Sequence, residues 1–485
     1  MRRNFMKKIT LIIILLFVIC TTACTNKPSN DAAYWQQKGT EYFFAKEYQS
    51  AADAFAKAIH LDSQDAESYY NRGISYLQLA QYQKAIVDFN KAINLAPSET
   101  RPYFGRGYCY KQMGQKEKAL LDFDKAIQIE PRYTEAYIER GTTYFILEKF
   151  ETATADITKA IELEPDNARA YHIRGGINYF FDKFEQAIED IDKAAQLGFT
   201  NSQTYEYKGR SYYSIEQYDK AITELNQAIA LEPQNVELYK FCGLSYYNIG
   251  QYDKAVTSLS QAITLETKSA TLYEYRAFSY IFIGQSDKAI EDFTTYLELV
   301  QDNGEIYNKR GALYLDIGRY QEAEADLNKA IQLIPEDPLA WYNHGNALLA
   351  LKQYQVAIKD YSKAIELDPK DNRPYNNRGS TYSLLGQYQN AIEDFNKAIQ
   401  LGPNSVEPYD NRGYAYYQLE QYQKALSDLN KAIQINPSYI KSLYNRALTY
   451  QKLGQTDKAI DDVKKALEFA PQDPDLHKLL QQLLN

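Results

Sequence analysis

The chain has 485 residues, 45% of them apolar, and a formal net charge of −9, which is enough length for about three ordinary domains. That acidity argues against nucleic acid, whose phosphates need a basic footprint. Four cysteines, Cys20, Cys24, Cys109 and Cys242, make no disulfide framework, whereas 45 tyrosines are far more than an ordinary domain carries and point to a repeated motif.

Residues 1–23 read as a leader. Arg2, Arg3, Lys7 and Lys8 stand without an acid, an apolar run follows from Ile9 to Ile19, and the segment ends Thr21-Thr22-Ala23 before Cys24. The run is too short to cross a bilayer of about 30 Å as a helix and matches the apolar region of a secretory signal. The ending resembles the lipobox of bacterial lipoproteins, although Thr21 stands where that family favours Leu. The resemblance implies that Cys24 is acylated and becomes the mature N-terminus. The chain would then be exported and held by lipid on a bacterial membrane, inner or outer, facing periplasm or cell exterior. A plain signal peptide with soluble release is the other reading of the same residues. Without the four leader cations the charge is −13. Residues 24–31 form a short tether that keeps the rest of the chain close to the membrane.

From Ala32 to Asp473 a 34-residue period runs without a slip, thirteen units in all. Gly39, Gly73, Gly107, Gly141, Gly175, Gly209, Gly243, Gly311, Gly345, Gly379 and Gly413 sit on the grid, with Ala277 and Ala447 at its two other points. With Ala32 as position 1, position 4 is aromatic in every unit but the last, position 11 is Tyr except at Asn178 and Leu348, and position 20 is always Ala. Position 27 is Ala except at Tyr296, and position 32 is Pro in nine units. Positions 4, 8 and 11 share one face of a first helix, and positions 20, 24 and 27 one face of a second. Proline at 32 stops the second helix. The pattern resembles the tetratricopeptide repeat. That resemblance implies an all-α solenoid of thirteen helix-turn-helix repeats over residues 32–473, wound as a right-handed superhelix with a concave groove. Residues 474–485 are a capping helix, with Leu476, Leu479, Leu480, Leu483 and Leu484 on one side and His477, Lys478, Gln481 and Gln482 on the other.

Position 7 is mostly Arg where the family usually has Leu, and position 23 is Asp in the same units. Arg72 with Asp88, Arg106 with Asp122, Arg140 with Asp156 and Arg310 with Asp326 illustrate the rule. The exceptions change together: Lys208 goes with Glu224, and Cys242 with Ser258, while Lys38 with Ala54 breaks the rule. These residues are expected to form a partly buried ion pair within each unit, its Arg stem covered by the aromatics three before and four after. An anion site is the competing reading, disfavoured because paired charges leave none for a ligand.

Positions 5, 9, 12 and 13 form the stripe that the family places on the concave wall. In the middle units it carries Phe104, Tyr108, Phe145, Tyr179, Phe180, Tyr213, Tyr247, Phe278 and Phe282, rings suited to an extended segment or a helix of another protein. The same rings would serve equally as packing between neighbouring units. Some family members grip a partner's terminal carboxylate with Lys and Asn at set positions; here Lys240 is followed by Leu244 where Asn is needed. The eighth unit, with Ala277, Tyr296 and Gln301 at signature positions, is the least regular.

No Gly-rich phosphate loop follows a strand. His60, His172, His344 and His477 lie far apart and read as scattered surface or groove residues rather than metal ligands. No nucleophile stands beside a base, so neither a catalytic residue nor a cofactor nor a metal is expected. The expectation is a non-enzymatic scaffold in the bacterial cell envelope that binds other envelope proteins or peptide segments. A module for peptidoglycan or exported polysaccharide is the alternative, and an enzyme with an unrecognised site the third reading. Arrays of this type can interlock, so a monomer and a self-associated form both fit the sequence.

Overall fold

A computed structural model describes residues 31–484. The leader and Cys24, with its tether up to Asn30, lie outside the described residues. Asp31 opens the first helix, its side chain accepting from the Ala33 N–H at 3.0 Å. The described residues form 27 helices and no strand. The first repeat sets the pattern: a first helix Ala32–Phe44, a turn, then a second helix Tyr48–Leu61. The same pair recurs every 34 residues to Thr456–Phe469, and Pro474–Leu484 follows as a last, single helix. The architecture is an all-α solenoid of helix-turn-helix repeats. None of the described helices is long and apolar enough to cross a membrane.

The chain divides after Ser245 into two compact units, the division falling within the helix Val236–Asn248. Each has the same core. The Ala at position 20 is fully buried, as in Ala85 and Ala425, and position 24 supplies the bulk, as Phe89 and Phe123 in the first unit or Phe293, Tyr361 and Phe395 in the second. The small residue at position 8 is dictated by that bulk. A Cβ on Gly73 would meet the Phe89 ring at 2.8 Å, so a larger residue there needs the ring to shift, and Ala277 opposite Phe293 is the largest residue found at this position.

The two ends of the repeat are closed differently. At position 4 the aromatic ring carries a polar tip that reaches the loop before its own helix: Tyr103 and Tyr137 donate to the carbonyls of Pro97 and Pro131 at 3.3 Å, and Trp341 Nε1 to that of Pro335 at 2.8 Å. At position 15 the turn passes through the left-handed region. Gly114 stands there with φ +75°, but Ala80, Glu148 and Lys352 occupy the same place with φ of 56°, 57° and 61°.

In the eighth repeat Tyr296 is turned inward. It is 8% exposed, and its hydroxyl accepts from Asn303 at 2.9 Å, the residue that caps the next helix. The irregularity is thus absorbed by packing. Two of the histidines read as surface or groove residues are instead buried, His172 and His344. His172 lies against the Phe199 ring at 4.7 Å, and burial lowers its pKa to about 4, keeping the ring neutral.

Candidate functional site

The position 7 and 23 residues are brought together as bidentate pairs. Arg72 Nε and Nη2 donate to the two Asp88 oxygens at 2.7 and 2.6 Å, Arg106 to Asp122 at 2.8 and 2.6 Å, and Arg140 to Asp156 at 2.7 and 2.6 Å. In the second unit Arg310 holds Asp326 at 2.7 and 2.8 Å. The Arg72 guanidinium lies 5.7 Å from the Tyr69 ring centre, and Arg310 lies between Tyr307 and Tyr314 at 5.7 and 5.9 Å. Burial raises the pKa of the Asp122 and Asp156 carboxyls, with their arginines opposing it. These pairs therefore order the repeat more than they stabilise it.

One part of this arrangement escaped the sequence reading. The third arm, Nη1, reaches back to position 25 of the preceding repeat: Arg106 to Asn90 at 2.6 Å, Arg140 to Asp124 at 2.6 Å, Arg310 to Thr294 at 2.9 Å and Arg378 to Ser362 at 2.8 Å. Lys208 follows suit, 2.8 Å from both Glu224 and Asp192, and even Cys242 Sγ lies 3.8 Å from Asn226. The signal was present, because position 25 carries Asn, Asp, Thr or Ser from the second repeat to the twelfth. His344 takes the place of Arg in the tenth repeat, its Nδ1 at 2.7 Å from Asp360.

On the first-helix face the predicted rings have different fates. Phe104 is buried, 5.8 Å from Phe123 and 5.1 Å from Tyr133, so it belongs to the core and offers no wall. Tyr108 is half-buried. Tyr179, Tyr213 and Tyr247, at position 12, are half-buried between repeats. Each meets a position 6 ring of the next repeat: Tyr179 with Tyr207 at 5.4 Å, Tyr213 with Phe241 at 5.1 Å, and Tyr247 with Tyr275 at 5.4 Å. A Cβ on Gly176 would strike the Tyr207 ring at 2.8 Å, so glycine makes room for that ring to lie flat. Phe145 is half-buried against Phe150 and Phe180, and Phe278 against Phe293. Two rings stand well into solvent: Phe180, 54% exposed, and Phe282, 59% exposed and stacked on Tyr252 at 4.3 Å. Ile146, next to Phe145 in the chain, is exposed as well.

Position 6 is the contact that the sequence reading missed. In repeats six to eight it is a ring. In the fourth it is Glu139, buried, taking Lys111 Nζ from the repeat before at 2.8 Å and Arg169 Nη2 from the repeat after at 2.7 Å. Burial would raise this carboxyl, but the Arg169 and Lys111 charges outweigh it and hold the pKa at about 2. From the tenth repeat on, position 6 is asparagine. Asn343 donates to Asn308 at 2.8 Å, Asn377 to Asn346 at 2.8 Å, and Asn411 to Asn376 at 3.0 Å. Rings, a charged triad and amides thus do one job on the same face, joining these repeats to their neighbours. Among the described residues no group of three His, Cys, Asp or Glu side chains is placed to hold a metal ion.

Family models decide the lineage. One described as TPR repeat matches residues 209–250, 345–386 and 413–454. Two described as Tetratricopeptide repeat match 66–99, 101–133, 304–337, 373–405 and 440–473, and 134–167 and 239–269. The chain is built of tetratricopeptide repeats. Several solved structures are similar to it along much of their length. The APC/C hetero-tetramer Cut9-Hcn1 is 16% identical with a TM-score of 0.42, over 94% of this chain and 96% of that one. A thermophilic TPR protein of Thermus thermophilus is 23% identical, TM-score 0.34, over 38% and 99%. YrrB, a TPR protein with an unusual peptide-binding site, is 22% identical, TM-score 0.34, over 40% and 97%. No curated protein matches the chain. Tetratricopeptide folds are in general scaffolds for protein–protein interaction.

Proposed function

We propose that this chain is a non-enzymatic scaffold of the bacterial cell envelope, exported and held at a membrane by a lipid on Cys24, that takes up segments of partner proteins on the ring-bearing face of its first helices. The observation that carries this reading is the exposure of Phe180 and Phe282 at position 13. The other predicted rings are at least half-buried between helices, whereas these two keep more than half their area in solvent although each touches neighbouring rings. Exposed rings next to half-buried ones offer contact area at low entropic cost. The lipid anchor is supported by the residues of the leader and by Ala23-Cys24.

The test is affinity capture from crosslinked envelope, comparing the full chain with a variant carrying Phe180→Ser and Phe282→Asn. Position 13 already holds Ser214 and Asn248 in other repeats, so the fold should tolerate both changes. A small set of envelope proteins recovered by the native chain and lost from the variant supports the scaffold reading; recovery of the same set by both contradicts it. Growth with an alkyne fatty acid checks the anchor: the native chain should be labelled and Cys24→Ala should not. Label on neither removes the lipid from the account. Saturable binding to purified cell wall that disappears on Asn377→Ala would instead move the function to the amide-bearing face and to polysaccharide.

A further inference from the structure

The second helices of repeats two and three, Tyr82–Leu95 and Lys116–Ile129, carry a large apolar residue where the other repeats carry none. Position 22 lies on the side of the helix opposite the buried positions 20, 24 and 27. It is Ala, Thr, Ser or a charged residue in eleven repeats, but Val87 in the second and Leu121 in the third. Both are open to solvent, Val87 60% exposed and Leu121 69%. Each stands between two lysines of its own helix, three residues before and four after: Lys84 and Lys91, Lys118 and Lys125. Among the described residues none of the four has an acid partner. Lys118 and Lys125 donate to the neutral Gln115 and Gln128 at 2.9 Å, and Lys84 and Lys91 lie 5.4 and 6.0 Å from the ring centres of Tyr76 and Tyr69. Elsewhere the lysine at position 26 is neutralised, Lys159 by Glu162 at 2.9 Å and Lys363 by Glu366 at 2.8 Å. Of the acids on this side of the two helices, Asp124 is held by Arg140 at 2.6 Å, and Glu117 stands at the margin. The third repeat has seven Lys and Arg against four Asp and Glu, in a chain whose acids outnumber its cations.

Aliphatic side chains left in water among cations without acid partners fit a surface that is negative on top and apolar beneath. We propose that Val87 and Leu121 dip into an anionic phospholipid surface while Lys84, Lys91, Lys118 and Lys125 reach its phosphates, so that the second helices of repeats two and three rest on the bilayer. The lysine stems lie along apolar surface and keep their charged heads at the level of the headgroups. A second copy meeting the chain through the same patch would set lysine against lysine. Side chains standing out from the solvent side of two helices form no groove for a peptide. Two aliphatic side chains hold weakly alone; they become effective once a lipid on Cys24 keeps the chain at the membrane, because the contact is then intramolecular. This proposal rests on the reading of the chain as membrane-held and adds which face turns to the bilayer.

The experiment uses the full chain with Cys20→Ser and Cys24→Ala, which cannot carry the lipid, and one added cysteine bearing an environment-sensitive nitrobenzoxadiazole dye. Cys109 and Cys242 are buried and stay unlabelled. The dye is placed through Leu121→Cys, Val87→Cys or, as the control, Thr223→Cys at the exposed position 22 of the sixth repeat. That position accepts Glu189 and Lys359 in other repeats, so the fold should tolerate each change. Vesicles of phosphatidylglycerol and of phosphatidylcholine are the probes. Phosphatidylglycerol should shift the emission to the blue from positions 87 and 121 and leave position 223 unchanged, and phosphatidylcholine should shift none. Lys118→Gln and Lys125→Gln should each lower the affinity for the anionic vesicles roughly fivefold; Gln186 and Gln227 stand at those positions in other repeats. A dye at position 121 that stays silent with phosphatidylglycerol in large excess, or an equal shift at position 223, overturns the proposal. The same shift with phosphatidylcholine overturns it too, because the lysines then contribute nothing. A shift that needs no vesicles and grows with chain concentration gives the face to a second copy and likewise overturns it. The anchor is judged separately, by fatty-acid label on Cys24, whatever the dye shows.

Discussion

The Arg106 guanidinium serves two repeats at once: two arms close on Asp122 within its own repeat, and the third reaches Asn90 in the one before. Its side chain is 21% exposed and that of Asp122 only 6%. Removing one partner strands the other, so Asp122→Ala should cost about 3 kcal/mol, while Arg106→Leu combined with Asp122→Leu should be neutral or stabilising. Because repeats open locally, hydrogen exchange of the helices Thr100–Gln112 and Lys116–Ile129 is the readout. Equal losses in the single and double variants would contradict this account of the pair. Glu139 gives the pH dependence. Its folded pKa of about 2 lies below the ordinary 4.5, so its contribution is present above pH 4.5 and is lost as pH falls toward 2. The contribution amounts to roughly 3 kcal/mol. Glu139→Gln should therefore melt well below the native chain at neutral pH, with the gap narrowing as acid is added below pH 4.5. A gap independent of pH would show that the triad is not the source.

At the scale of the helix pair, the turn is the weak joint. Position 15 is left-handed in all repeats, and only some supply glycine. Nothing stands within 4 Å of a Cβ on Gly114, so Gly114→Ala should cost about 1 kcal/mol through backbone strain alone, and Ala80→Gly should gain roughly 0.5 kcal/mol. Thermal unfolding followed by circular dichroism checks both; the same sign for the two would refute the strain argument. The helix pairs themselves could be read from the chain because an uninterrupted period repeats each packing requirement many times over: alanine at position 20, a small residue at position 8, a ring at position 4. The face was harder to read. Position 6 changes chemistry from Glu139 to Tyr207 to Asn377 while keeping its place in the contact, so no single residue type marks it. Phe104 and Phe180 look alike in sequence, yet the first is buried by Tyr133 and Phe123 and the second is open. That difference depends on which neighbours fill each space, which periodicity does not encode.

For the whole molecule, each end of the array carries added polar side chains, beside the exposed Tyr34, Tyr42 and Phe44 in the first repeat and Leu484 in the last helix. Position 10 is uncharged and buried in every later repeat, but in the first it is Glu41, exposed and bonded to Lys38 at 2.6 Å and Gln37 at 3.1 Å. The last helix buries Leu476, Leu479 and Leu483 and turns His477, Lys478, Gln481 and Gln482 outward. Partners are thus expected along the first-helix face and not by stacking on the ends. The most direct test places a photo-crosslinking residue in the full chain, in its own cells, at Phe180, at Phe282, or at Val87 and Leu121, exposed apolar residues of second helices. Discrete protein adducts are expected from Phe180 and Phe282 and none from Val87 or Leu121. Protein adducts confined to Val87 and Leu121 would place the working surface on the second helices and contradict that expectation.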